Sequence, residues 1–237
     1  MHIIILIRKE IKQLEKEYLF ESCLKEDEDF QKYDQKTLLT FGKRIGRRLT
    51  TYQNLFHFYQ KQQTNHTEKF GTFTIEKKEN DYLLTNNAIT ESFKDEVFFR
   101  FLSYIGTYLL TPLPLGTVVS LKKEYFKKMI DITEESDILV VITDRFLLLE
   151  DINTFIPYGG VLYPMGELEE DAKLYFGAEL VENVIHEGYT TTEEDEFIQV
   201  MRREVLLPSR FVPMGYVSKS IAADLKATVK GSAANGG

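Results

Sequence analysis

Apolar residues near the start of the chain recur at three- and four-residue steps. Ile7, Ile11, Leu14 and Tyr18 follow this spacing with charged residues between them, which puts them on one face of a helix. A longer series follows: Leu38, Phe41, Ile45, Leu49, Tyr52, Phe56 and Tyr59. It predicts one helix with an apolar seam. Gly42 and Gly46 lie beside that seam. Each costs ~1 kcal/mol relative to alanine in a helix interior, and each lets a neighbour approach closely. The period then changes. Phe73 and Ile75 alternate with threonines, and Tyr82 and Leu84 lie beyond the polar Lys78-Glu79-Asn80-Asp81. This is the strand-turn-strand pattern of a β-hairpin near residues 70–85. Thr90 then reads as a helix N-cap with Glu91 in the first turn. Ile89, Phe93, Val97, Phe101, Ile105 and Leu109 follow at four-residue steps, widened by Phe98 and Leu102. Pro112 and Pro114 end this helix and mark a boundary.

The second half has another texture. Residues 117–121, 129–132, 137–143 and 146–149 are short β-branched or aliphatic runs. They read as strands of a small, mostly antiparallel sheet. Tyr158 to Pro164 adds a strand with the pair Gly159-Gly160 near its start. Thr192 reads as the cap of a last helix, with Asp195 three residues on. Phe197, Ile198, Met201 and Val205 form its buried stripe, and Arg202 and Arg203 face the negative end of its dipole. Pro208 stops it. The expected class is therefore α+β: a helical region over 1–111, a small α+β domain over 112–218, and a tail over 219–237. The end of that tail, GSAANGG, is small and polar, the composition of disorder.

Charge sharpens this division. The 237 residues carry a net charge of −8. Residues 1–110 are nearly neutral, and residues 111–237 hold a surplus of nine acids. An acidic chain lacks the cationic footprint that nucleic acid requires. Solubility explains the surplus in the plainest way; an acidic surface turned to a basic partner is the functional reading. The basic cluster Lys43, Arg44, Arg47 and Arg48 reads as a solvated helix face or as an anion contact. The apolar run after Met1 is too short for a signal peptide and its basic residues come after it. Residues 97–110 are too few for a membrane span and include Arg100. With a single cysteine, Cys23, no internal disulfide is available, and a reducing cytoplasm is expected.

The segment from Leu113 to Gln199 carries a recognisable order of blocks: Leu113-Pro114-Leu115-Gly116-Thr117-Val118-Val119, Lys127-Lys128-Met129-Ile130, the stretch Tyr158-Gly159-Gly160-Val161-Leu162-Tyr163-Pro164-Met165-Gly166, Tyr175-Phe176, and Val184-Ile185-His186-Glu187-Gly188-Tyr189. It resembles a domain of unknown function from Firmicutes whose genes cluster with LXG-type toxins of the type VIIb secretion system. Met165 stands where that pattern has an acid, and His186 where it has an apolar residue; the spacing from Ile130 to Tyr158 is longer than the pattern's, which implies an inserted hairpin over residues 138–149. The resemblance implies a cytoplasmic accessory protein that binds a cognate LXG toxin, as a chaperone or adaptor does before export. It does not extend to the first 110 residues.

The motif residues also have architectural readings. Gly116 suits a positive φ at a strand entrance. Gly159 and Gly160 suggest a bulge or bend. Pro164 and Gly166 suit a turn, and Gly188 a strand end. Tyr163 and Tyr189 are interface candidates, since tyrosine joins a large contact area to one polar tip. Phe56, Phe58, Tyr59, Phe98, Phe99 and Phe101 exceed what one helix face buries, so the N-terminal helices are expected to offer a groove to the partner, with Phe56, Tyr59 and Phe98 in it.

Catalytic chemistry has few candidates. His186 and Glu187 are a possible base pair for a hydrolase, but neighbours on a strand point to opposite faces. Nucleotide-binding, esterase and zinc-protease motifs do not occur. The histidines show no metal spacing, and four adjacent acids at Glu26-Asp27-Glu28-Asp29 do not converge in a helix. Glu167, Glu169, Glu170 and Asp171 read as a helix start. The acidic surroundings of Cys23 blunt its reactivity. The expectation is a protein without enzymatic activity, metal or cofactor, which binds a secreted toxin; an immunity protein that blocks a toxin is the alternative.

Overall fold

The computed structural model describes residues 2–126, 137–167 and 173–216. The strand expected at 129–132, the acids Glu169, Glu170 and Asp171, and the tail 219–237 lie outside these residues. The class is α+β, with helices dominating the first half and mostly antiparallel strands the second.

Helix α1 (His2–Glu26) packs through Leu19, Phe20, Cys23 and Leu24, all buried. The anticipated stripe is not its core face: Leu14 and Tyr18 are exposed. The acidic run closes α1. Asp27 caps a short 3-10 turn by accepting from the Asp29 N–H, and Tyr104 donates to Asp27 Oδ2 at 2.9 Å. The long seam faces the core but does not lie on one helix. It is divided between α2 (Gln35–Gly46) and α3 (Leu49–Lys61), with Arg48 extended between them. Gly46 explains where the break falls. A Cβ there would meet Leu109 Cβ at 2.5 Å, so the end of α2 is pressed against another segment.

The expected hairpin is the middle of a four-stranded antiparallel meander. β1 (His66–Phe70), β2 (Phe73–Lys78), β3 (Asp81–Asn86) and β4 (Ile89–Lys94) pair in chain order. Ile89, Thr90 and Phe93 are strand residues, and Thr90 is not a helix cap. Their four-residue step to Val97 is a coincidence of sequence. What fixes β4 is its partner, with Thr90 opposite Thr85 and their hydroxyls 2.9 Å apart. Helix α4 (Asp95–Tyr104) follows, with Asp95 and Glu96 in its first turn where the dipole favours acids. It widens into a π turn over Ile105–Leu109. Val97, Phe98, Phe101, Leu102 and Ile105 from this element meet α1, α2, α3 and the meander in one aromatic core.

The second sheet has the order β10-β7-β6-β5-β9, with β8 beside β7. Its members are β5 (Val118–Leu121), β6 (Ile138–Leu149), β7 (Thr154–Leu162), β8 (Leu174–Phe176), β9 (Val181–His186) and β10 (Val212–Pro213). A short helix α5 (Lys123–Phe126) follows β5. Residues 138–149 are one strand of 12 residues, not a hairpin. Asp144 looks like a turn residue in sequence, but here it marks a register shift between Ile142 and Asp144. The glycine pair faces that bulge: Gly160 lies opposite Ile142 and Gly159 opposite Asp144. A Cβ on Gly160 would come 2.4 Å from the Val141 carbonyl oxygen, so only glycine lets the strands close there. The pair sits late in β7, not at its start.

Helix α6 (Thr192–Val200) is capped by Thr191, whose Oγ1 accepts from the Glu194 N–H at 3.2 Å. The cap is one residue earlier than the sequence suggests. A second π turn (Met201–Leu206) continues it. The buried stripe is Ile198, Arg202 and Leu206, while Phe197 is exposed.

Candidate functional site

The sequence blocks of the second half meet around the entrance to β5. Gly116 has φ +78°, the left-handed conformation that glycine adopts without strain. Its N–H donates to the Ile142 carbonyl at 2.8 Å. Leu113 donates its N–H to Tyr158 Oη at 3.0 Å. Gly188 donates to Thr117 Oγ1 at 3.0 Å and lies so close that a Cβ would be 2.0 Å from the Leu115 carbonyl oxygen. Thus the Leu-Pro-Leu-Gly, Tyr-Gly-Gly and Glu-Gly-Tyr blocks hold each other. Arg145 ties in the last helix by pairing with Glu194 at 2.6 Å, both side chains largely buried. At the other end of the sheet, Tyr163 to Gly166 forms a turn in which Gly166 has φ +71° and bonds back to Leu162.

The two faces of this sheet differ. Val119, Leu121, Ile138, Val140 and Tyr158 face a core with Phe176 and Val181. The opposite face carries Val118, Val141 and Val161 in one cross-strand row, all half-buried. His186 continues that row on β9. Antiparallel sheets usually turn polar residues to water on such a face. Tyr175, opposite Gly159, projects on this side and is 51% exposed; Tyr163 at 54%, Ile185 at 57% and Tyr189 at 85% are further exposed side chains of the same segment. Leu115, Met165 and Val184 are exposed as well.

Among the described residues, the rings expected to line a groove on the N-terminal helices pack inward. Phe56 and Phe98 are buried in the core, as are Phe58 and Phe101. Tyr59 is half-buried, stacks on Phe99, and donates to Asp95 Oδ1 at 2.7 Å. The aromatic load is absorbed because these rings pack against several elements at once, including Tyr82 of β3 and Phe93 of β4. Tyr163 and Tyr189 are the interface candidates that lie at the surface.

Two charged groups at the seam between the halves escape sequence reasoning. Arg202 is 1% exposed. It donates from Nε to the Thr107 carbonyl at 2.9 Å and from Nη2 to the Leu110 carbonyl at 2.5 Å. It therefore satisfies the end of the α4 π turn rather than its own helix dipole. Its Nη1 has no hydrogen-bond partner. Burial pulls its pKa down to about 10. Glu179 lines the same cavity, about 30 Å³ in volume, far below the ~300 Å³ of a small-molecule site. Burial pushes the Glu179 carboxyl up to about 7, against smaller opposing effects of its own backbone N–H and Lys122. His57 joins the seam from α3, with Nε2 3.0 Å from the Glu179 carbonyl oxygen and Nδ1 3.2 Å from Tyr125 Oη. Burial and Lys122 hold the imidazole below its ordinary pKa. The signal for Arg202 was its position four residues after Ile198, on the buried stripe. Glu179 gave none.

The remaining candidates are placed simply. Cys23 is buried, and burial pushes its thiol up to about 12. His186 and Glu187 are both exposed at the end of β9. Lys43 pairs with Glu17 at 2.5 Å and Arg44 bonds Asn86, while Arg47 and Arg48 are exposed. Among the described residues no three His, Cys, Asp or Glu side chains converge to hold a metal ion, and no helix is long and apolar enough to cross a membrane.

Fold and surface together define an α+β protein whose second half exposes several tyrosines and aliphatic side chains. Residues 112–197 match the model of a family described as a domain of unknown function (DUF4176). The match covers the whole meeting of sequence blocks around β5 and stops within α6. No curated protein and no solved structure matches the chain.

Proposed function

We propose that this is a binding protein without enzymatic activity: a cytoplasmic chaperone or adaptor that holds a cognate LXG-type toxin before type VIIb secretion. The observation that carries the binding reading is the set of exposed apolar and aromatic side chains, Tyr163, Tyr175, Ile185 and Tyr189, within the segment that matches the family model. A contiguous apolar surface rimmed by polar residues marks an interaction site, and tyrosine suits such a rim. The toxin comes from the resemblance of the sequence blocks to the LXG-associated family. The blocks themselves support the reading indirectly, because their glycines and buried Tyr158 act as architecture and leave the exposed Tyr163 and Tyr189 to contact a partner.

Co-expression with the LXG-type toxin of the same gene cluster tests this. A stable complex is expected, with higher toxin abundance in the producing cell and no protection of a target cell. Unchanged toxin abundance and secretion on deletion of the gene would overturn it. An immunity role has one observation in its favour. Residues 174–201 contain seven carboxylates and no lysine or arginine, a composition suited to blocking a basic toxin site. Neutralisation of purified toxin would select that reading. A hydrolase using His186 predicts turnover that is lost in the double variant His186→Ala, Glu187→Ala.

A further inference from the structure

We propose that the outer edge of β9 binds an extended, basic segment of the partner protein by strand addition; this rests on the binding reading above and specifies where and how the partner attaches. An edge strand presents unpaired backbone N–H and C=O groups, and natural sheets blunt such edges with charged side chains (lysine above all), proline, brevity or bulges. The other edges of this molecule follow that rule. β1 carries Lys69, β4 carries Lys94, β10 contains Pro213 and has two residues, and β8 has three. β9 is six residues long and contains neither lysine nor proline. Among the described residues it pairs on one side only, with β5.

The outward strand is also unusually bare. Residues 182–187 are all exposed, including adjacent Val184 and Ile185. Register shifts leave Glu182 and Ile185 without an opposite residue on β5. Extra residues of this kind are unpaired in the ladder and bend the strand locally, so the incoming strand pairs through the regular residues Asn183, Val184 and His186. The backbone chemistry specifies an extended occupant, since only a strand matches that row of donors and acceptors. Charge specifies its sign. Glu182 and Glu187 flank the apolar pair, and the stretch from 174 to 201 has no basic side chain except His186. A second copy of this chain would bring the same acids to the interface, and like charges placed opposite one another destabilise a strand pair.

The test uses the full chain and three capped eight-residue peptides: alternating lysine and valine, the same peptide with alternate amide nitrogens methylated, and alternating glutamate and valine. Binding is read by backbone amide shifts and hydrogen exchange. The lysine–valine peptide is expected to shift and protect amides of residues 182–187, with affinity falling as salt rises. The methylated and glutamate peptides are expected to bind at least tenfold more weakly. The surface variant Glu182→Lys, Glu187→Lys keeps the fold and reverses the order of the charged peptides. Shifts confined to other surfaces, equal binding of the methylated peptide, or protection of the β9 amides in a peptide-free dimer would each overturn strand addition. None of these results bears on whether the toxin complex forms, so failure here is separable from failure of the binding reading.

Discussion

Arg202 Nε lies 2.9 Å from the carbonyl oxygen of Thr107 and donates to it. The contact joins two π turns, one ending α4 and one following α6. A guanidinium fork suits this task because it serves two carbonyls from a fixed plane. Replacing Arg202 with alanine strands both acceptors in a buried seam. A loss of about 3 kcal/mol is expected, measured as the midpoint of urea unfolding. Arg202→Lys is expected to recover less than half, since one ammonium cannot reproduce the fork. Full recovery by lysine would show that charge alone matters at this position.

Glu179 makes stability depend on pH. Its folded-state pKa, about 7, exceeds the ordinary value of 4.5. The folded protein therefore holds this proton more tightly than the unfolded chain does. The contribution is fully present below pH 4.5 and is lost as pH rises to about 7, amounting to about 3 kcal/mol. Glu179→Gln is expected to flatten the stability profile across that window and to be more stable than the parent at pH 8. Parallel profiles for the two proteins would refute this assignment.

Gly160 is a steric position. Adding a methyl group brings it within 2.4 Å of the Val141 carbonyl, and overpacking of this kind costs ~1–3 kcal/mol. Gly160→Ala is expected to lower the unfolding temperature by several degrees. Gly71→Ala has open space and is limited only by its φ of +62°, so its effect is smaller. A thermal melt of each variant compares them.

The tyrosines and the phenylalanines separate binding from folding. Tyr163→Ala and Tyr189→Ala remove exposed rings and are expected to leave stability within ~0.5 kcal/mol while weakening the partner complex at least fivefold. Phe98→Ala empties a fully buried site and is expected to cost ~3–5 kcal/mol. Calorimetric titration of the complex, with circular dichroism of the free protein, reads both quantities. Intact binding after both tyrosine changes would move the interface elsewhere.

Cys23 reports local opening. With the thiol buried and pushed up to about 12, iodoacetamide is expected to label it at pH 8 only as fast as the native protein opens. Labelling should become rapid in urea. Prompt labelling under native conditions would contradict the packing of α1 against α4.

The sequence predicted elements best where one residue's period carried the information. Phe73 and Ile75 on β2, and Tyr82 and Leu84 on β3, were legible from alternation, and α6 from its helical spacing, with its cap one residue off and Phe197 outside its buried stripe. β4 was misread because Phe93 is its one fully buried residue, so the strand has no period of its own and depends on pairing with β3. The break between α2 and α3 was hidden because the seam continues through it, and only the contact of Gly46 with Leu109 shows why the chain turns. At the candidate site, Tyr163 and Tyr189 were legible as aromatic residues in a turn and a strand end. Phe56 and Phe98 were misplaced because burial by several elements leaves no one-dimensional trace. Arg202 and Glu179 belong to the same class, since their roles are set by what the other half of the chain brings to them.

The small core formed by Phe146, Phe155, Ile198, Leu206 and Phe211 crosses the end of the family segment at residue 197. Two of its phenylalanines lie inside the segment, and its other members lie beyond it. A fragment cut at that end would uncover a hydrophobic floor and lose the arginine that closes the helical half. The sequence blocks of this segment are thus not a detachable cassette in this chain. They are one wall of a joint that the flanking residues complete, and any graft of this sheet onto another scaffold has to carry α6, its π turn and β10 with it.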